Sequence, residues 1–141
     1  MTGVPRPYTG GTNAIRGVSG GGVPWVVYSA EGELTASGKL KVTVRGLVID
    51  PNDAVAISRG LAGTNPSPTF KAIVSCLSKD MAGNPTTVNV STDAFSATTG
   101  LASAGGGNAD IEAMVSLPMP CIAPIIFVTS GGGSWFAATG F

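Results

Sequence analysis

The chain has 141 residues, 43% hydrophobic and 11% charged, with eight basic residues against eight acidic ones and no histidine. That length suits one domain, and a charged fraction far below the usual ~25% leaves no basic field for nucleic acid or anionic lipid. Without histidine there is no Ser-His or Cys-His nucleophile and no His/Cys zinc site, and no apolar run approaches the ~20 residues of a helical membrane span.

A soluble monomer ordinarily keeps a charged surface to stay dispersed. The low charge therefore points to a surface covered by copies of this chain or by another partner. A neutral extracellular surface rich in Ser, Thr and Gly is the plainer alternative. Glycine (21) and proline (10) are abundant, but strong β-runs interrupt them, which argues for many turns and short strands rather than disorder.

Residues 1–22 hold Gly10-Gly11, Gly20-Gly21-Gly22 and two prolines in the first seven positions. Alone, such a segment is a flexible arm. To be ordered it needs its own sheet or a neighbouring subunit to lie against. Residues 12–18 are the candidate edge strand and the candidate donor to a neighbour's sheet. The arm, 1–22, is set apart from a single β-sandwich domain over 23–141. Met1 to Pro7 contains no apolar h-region, so no signal peptide is expected in this sequence.

Residues 24–29, Pro-Trp-Val-Val-Tyr-Ser, read as the first strand. Trp25, Val27 and Ser29 point one way, Val26 and Tyr28 the other. Glu31-Gly32 reads as a turn. Residues 33–36 and 39–48 flank Ser37-Gly38, a two-residue hairpin signal. Leu40, Val42, Val44 and Gly46 share one face; Lys39, Lys41, Thr43 and Arg45 share the other. That alternation predicts a strand with one dry face and one wet one. Asp50-Pro51-Asn52-Asp53 suits a turn. Its clustered oxygens are compatible with Ca²⁺, but the ligand series is incomplete. Residues 54–57 read as a short strand or a helical turn, and 58–68 as a loop.

Residues 70–79, carrying Cys76, form the apolar strand at the centre of the chain. Residues 81–85 turn it back into 86–91, a predicted hairpin. Asn89-Val90-Ser91 fits an N-glycosylation sequon, and within a strand it reads as coincidence. Residues 93–107 are irregular, a long surface loop of the kind where binding tends to sit. Residues 109–117 alternate, with Ile111, Ala113, Val115 and Leu117 opposite Asp110, Glu112, Met114 and Ser116. Pro118 and Pro120 end them. Residues 121–129 carry Cys121 and the run Ile125-Ile126-Phe127-Val128, apolar on both faces and so expected to be covered on both. A Gly-rich turn at 130–133 leads to the last hairpin strand, 134–139, with Trp135 and Phe136.

About eight short strands, joined mostly by hairpins and without a helical stripe, predict an all-β fold: an antiparallel β-sandwich or jelly-roll-like barrel. The two cysteines lie in two apolar strands and make one natural pair, expected to sew the two sheets together. A bridge would close roughly 45 residues and stabilise by roughly 4 kcal/mol in the chain-entropy model. It implies an oxidising, secreted or extracellular location. Two reduced, buried cysteines are the alternative.

The acids, Glu31, Glu33, Asp50, Asp53, Asp80, Asp93, Asp110 and Glu112, lie at predicted turns or on wet faces. The pairs Glu31/Glu33 and Asp110/Glu112 are spaced i, i+2, so the members of each could face a ligand together. No catalytic residue, cofactor or metal is expected, and the chain reads as a non-enzyme. Trp25, Tyr28, Trp135 and Phe136 are the candidate ligand-stacking or interface residues, with core packing as the alternative.

Five blocks carry a family likeness. They are Pro24-Trp25-Val26-Val27-Tyr28, Val44-Arg45-Gly46-Leu47-Val48, Val74-Ser75-Cys76, Pro120-Cys121-Ile122-Ala123-Pro124 and Ser134-Trp135-Phe136-Ala137-Ala138-Thr139-Gly140. Over about residues 23–140 the chain resembles small secreted bacterial proteins built as two-cysteine β-domains. The resemblance implies export and such a domain, and brings no activity with it. The absent signal peptide departs from the pattern, as it would in a mature chain. The expectation is a non-enzymatic extracellular structural protein that self-assembles as a homo-oligomer, with N-terminal strand exchange as the candidate route. It has no nucleic-acid or membrane partner. A module that binds a polysaccharide or cell-wall polymer through exposed aromatics is the alternative.

Overall fold

Residues 39–45 form the middle strand of a three-stranded antiparallel sheet in the computed structural model, which describes residues 1–140. In chain order the first strands are β1 (Thr2–Gly3), β2 (Trp25–Val26), β3 (Ser29–Leu34), β4 (Lys39–Arg45) and β5 (Val48–Ile49). One short helix, α1 (Ala54–Ser58), precedes β6 (Thr64–Asn65), β7 (Thr69–Lys79) and β8 (Pro85–Ser91). Then come β9 (Phe95–Ser96), β10 (Gly100–Leu101), β11 (Ala109–Met114), β12 (Ile122–Thr129) and β13 (Trp135–Ala138). The strands of four residues or more are close in number to those predicted; of the two-residue pairings, β2 lies within the predicted first strand and β5 begins at the end of the predicted strand 39–48, while β1, β6, β9 and β10 fall in what the sequence presents as arm or loop.

The small sheet has the order β11-β4-β3. Leu40, Val42 and Val44 are fully buried, and register brings Ala30, Gly32 and Leu34 on one side and Ala109, Ile111 and Ala113 on the other onto the same face. The large sheet has the order β1-β13-β12-β7-β8, with β9 pairing β7 beyond the end of β8. Its inner face presents Phe70, Ala72, Val74 and Cys76, all fully buried. The two inner faces meet in one apolar cluster, an antiparallel sandwich that does not close into a barrel.

Gly32 lies inside β3 and makes no turn. A Cβ there would come within 2.8 Å of Ile126 Cδ1. The glycine allows close approach of the two sheets, a role that Glu-Gly in sequence does not distinguish from a turn. A hairpin turn forms at Ser37-Gly38, but its loop has three residues, 36–38, and not two: Thr35 N–H donates to Lys39 O, Gly38 N–H to Thr35 O and Lys39 N–H to Thr35 Oγ1, with Gly38 at φ +96° as such loops require.

Cys76 and Cys121 are joined, with Cα atoms 4.9 Å apart. The link does not sew one sheet to the other. Cys121 directly precedes β12, which pairs with β7, so the disulfide joins neighbouring strands of the large sheet.

The outer face of the large sheet is also dry, because alternation puts Ile73, Ser75, Phe127 and Thr129 there and all are buried. Its cover is the chain's own N-terminal arm. Tyr8 and Trp135 rings sit 6.5 Å apart, and Trp135 lies 5.8 Å from Phe127. Trp135 N–H donates to Ser19 O, and Gly21 N–H to Trp135 O. Val4 and Val18 are buried in the core cluster. Residues 12–18 form no edge strand. Ile15 and Val18 exchange backbone hydrogen bonds around Arg16-Gly17, whose φ values of +48° and +78° make a tight two-residue turn.

Candidate interaction surfaces

Three of the four aromatic candidates belong to the core. Trp25 stacks on Phe136, centroids 3.8 Å apart at 18°, and Phe70 meets the edge of the Phe136 arrangement at 71°. Trp135 is fully buried under the arm. Trp25 and Phe136 face the space between the sheets and Trp135 faces the arm, so none of the three has a face free to stack on a ligand. Tyr28 is 90% exposed. It lines an open groove of about 470 Å³ with Val26, Val48, Pro51, Ala62 and Leu101, in which Ser103 and the Tyr28 hydroxyl are the only polar side-chain groups.

A second groove, about 640 Å³, runs beside the disulfide between the β3–β4 hairpin and the prolines ahead of β12. Leu34, Ala36, Leu117, Pro118, Met119 and Pro120 form most of its walls, and no lining side chain carries a charge. Such a wall packs apolar groups; it holds no acid, base or nucleophile.

The paired carboxylates are spread across the wet face of the small sheet. Register puts Glu33, Lys41 and Glu112 in one row and Glu31, Thr43 and Asp110 in the next. Arg45 pairs with Asp110 at 3.1 Å and Lys41 with Glu112 at 3.9 Å. These are solvated cross-strand pairs. The turn acids are engaged by backbone: Asp50 Oδ1 accepts from Asn52 N–H, and Asp80 Oδ1 from Ala82 and Asn84 N–H. Asp53 accepts from Ala56 N–H as the N-cap of α1, and from Arg6 Nη2 at 3.0 Å. The Ala56 amide, followed by Arg6, holds its carboxyl below the ordinary range, against an opposing push from burial. Among the described residues no cluster of acids or cysteines is placed to hold a metal ion, and no helix is long and apolar enough to cross a membrane.

The sheet edges differ from one another. Edge strands β3 and β11 carry Glu31 and Glu33, and Asp110 and Glu112. The β1 edge is two residues long and continues into Val4, whose carbonyl accepts from Trp25 N–H. Edge strand β8, Pro-Thr-Thr-Val-Asn-Val-Ser, carries no charge and pairs only with β7. Natural edges are ordinarily blunted by charge, brevity or a bulge.

Arg16 fixes which backbone groups of β8 face outward. Its Nη1 donates to Ser75 O at 2.9 Å and to Ala123 O at 2.7 Å, where β12 loses register between Ile122 and Ile125. Ser75 therefore turns its carbonyl toward β12. Backbone groups alternate sides along an antiparallel strand, so Val74, Cys76 and Ser78 bond toward β8. Ala72, which exchanges hydrogen bonds with Thr92, agrees with that phase. In β8, then, Val90, Val88 and Thr86 make the ladder. Thr87, Asn89 and Ser91 aim their N–H and C=O groups away from the molecule. The sequence reading sees β8 as half of a hairpin and misses it as an edge; its lack of charge is the only signal available, and that acquires meaning once the sheet order is known.

Comparisons of the chain with protein-family models, with curated proteins and with solved structures find no match. The described residues form a small disulfide-linked antiparallel β-sandwich that carries apolar grooves beside the disulfide and beside Tyr28, and an uncharged edge at β8.

Proposed function

We propose that this protein is a non-enzymatic, extracellular structural domain that assembles with copies of itself. The observation that carries the reading is the open edge of β8, seven residues long and free of charge. An unblunted edge is a template for β-augmentation. The low charged fraction, 11%, acts in the same direction, because little electrostatic repulsion keeps copies apart. The disulfide suits an oxidising compartment.

Arm exchange between subunits has less support than edge pairing. The arm fills its own sheet, through β1 on β13 and the Gly20–Trp135 bridge, so no vacancy calls for a donor strand. A polysaccharide module also has less support. Sugar recognition pairs a stacking ring with hydrogen bonds to hydroxyls, and Tyr28 stands over an almost wholly apolar lining.

Sedimentation velocity or chromatography with light scattering over a wide concentration range tests the proposal. The expected result is a mass that rises with concentration to a multiple of the single chain. A single-chain mass at every concentration would overturn it.

A further inference from the structure

We infer that β8 pairs antiparallel with β8 of a second copy across a two-fold axis through Val88, joining the two large sheets into one. This rests on the self-assembly reading and names its interface. The outward-facing backbone groups belong to Thr87, Asn89 and Ser91, together with the Pro85 carbonyl. Reversing the strand about Val88 exchanges Thr87 with Asn89, Thr86 with Val90 and Pro85 with Ser91. Outward groups then meet outward groups along the whole strand. Each Thr87 exchanges both backbone hydrogen bonds with Asn89 of the second copy, and Ser91 N–H reaches the second copy's Pro85 carbonyl. The N–H that proline lacks falls at the last position of the ladder, where one bond is lost and no interior bond is broken.

A shift of one residue would set outward groups against groups already bonded to β7. A shift of two keeps the phase but shortens the ladder. The inner-face side chains agree with the full-length register: Val88 meets its own copy at the axis and Thr86 meets Val90, all half-buried and uncharged. A two-fold axis brings each residue near its own kind or its mirror position. Glutamates or aspartates there would face carboxylates, as they would on β3 and β11; β8 has none. On the outer face, Thr87 shares a row with Leu77 and Ile122, both exposed. Pairing extends that apolar row into the neighbour.

The test uses the full chain with its disulfide intact. Thr87→Pro removes one outward N–H and no bond to β7. The expected result is collapse of the assembled mass to a single chain, with the circular dichroism spectrum and melting midpoint of the parent. Register is read separately by cysteine pairing on the outer face, away from Cys76. Mixed Thr87→Cys and Asn89→Cys chains should cross-link on mild oxidation much faster than either variant alone, because directly opposed Cα atoms of a bonded pair lie about 5.5 Å apart. Faster self-cross-linking of Thr87→Cys or of Asn89→Cys would overturn the register. A parent that assembles while Thr87→Pro still assembles and the mixture fails to cross-link would overturn the interface and leave self-assembly standing. A parent that stays a single chain would overturn both.

Discussion

Asp53 ends the turn after β5, caps α1 through Ala56 N–H and holds Arg6 of the arm, with its own side chain only 8% exposed. Its carboxyl is shifted down from the ordinary value of 3.8. A carboxyl with a lower pKa folded than unfolded stabilises the fold above its unfolded value, and that contribution disappears as pH falls through the folded one. Asp53→Ala should therefore lower the thermal midpoint at pH 7. The gap between variant and parent should narrow as pH drops below about 4. Thermal scans of both chains at pH 7, 4 and 2.5 check this; a gap unchanged at pH 2.5 would mean that the charge plays no part. The turn at 50–53 is legible in sequence, because Asp-Pro-Asn-Asp favours local side-chain-to-backbone bonds. The Arg6 contact is not. It joins residues 47 positions apart, and no local pattern encodes a pair whose partner is chosen by tertiary packing.

Among elements, legibility follows periodicity. Residues 39–45 and 109–114 alternate cleanly, and each is a strand with the dry face predicted for it. The doubly apolar run 125–128 is covered on both sides as expected. The identity of the outer cover was hidden, because the arm lacks periodicity altogether. It holds its place by single contacts, Arg16 among them: one guanidinium nitrogen donates to the Ser75 and Ala123 carbonyls beside the register shift in β12, while Arg16 O accepts from Asn89 Nδ2. Arg16→Ala should cost about 1.5–3 kcal/mol, the range for hydrogen bonds to a charged group. Denaturant unfolding checks it: the midpoint should fall with the slope unchanged. A changed slope would indicate that the arm has come away and altered the surface exposed on unfolding.

For the whole molecule, strand order is the property that sequence conceals, since it depends on which distant segments pair. The cysteines illustrate the gap. Their pairing is legible from two apolar strands, but joining β7 to its neighbour β12 means that the bond reinforces a sheet and leaves the contact between sheets to side-chain packing. The edge status of β8 is hidden for the same reason. The disulfide closes 45 positions of chain, for which the loss of unfolded-state freedom corresponds to about 4 kcal/mol. Replacing Cys76 and Cys121 together by Ala should lower stability by about 2–4 kcal/mol, because β7 and β12 remain hydrogen-bonded and the native state stays intact. Assembly also stabilises the folded chain by mass action, so the comparison belongs at one fixed, low protein concentration. Guanidinium unfolding of parent and double variant under those conditions gives the difference. A loss well above about 5 kcal/mol, or a variant without the parent's β-sheet spectrum, would mean that the bond sets the geometry of the bulged β12 start and does more than restrict the unfolded chain.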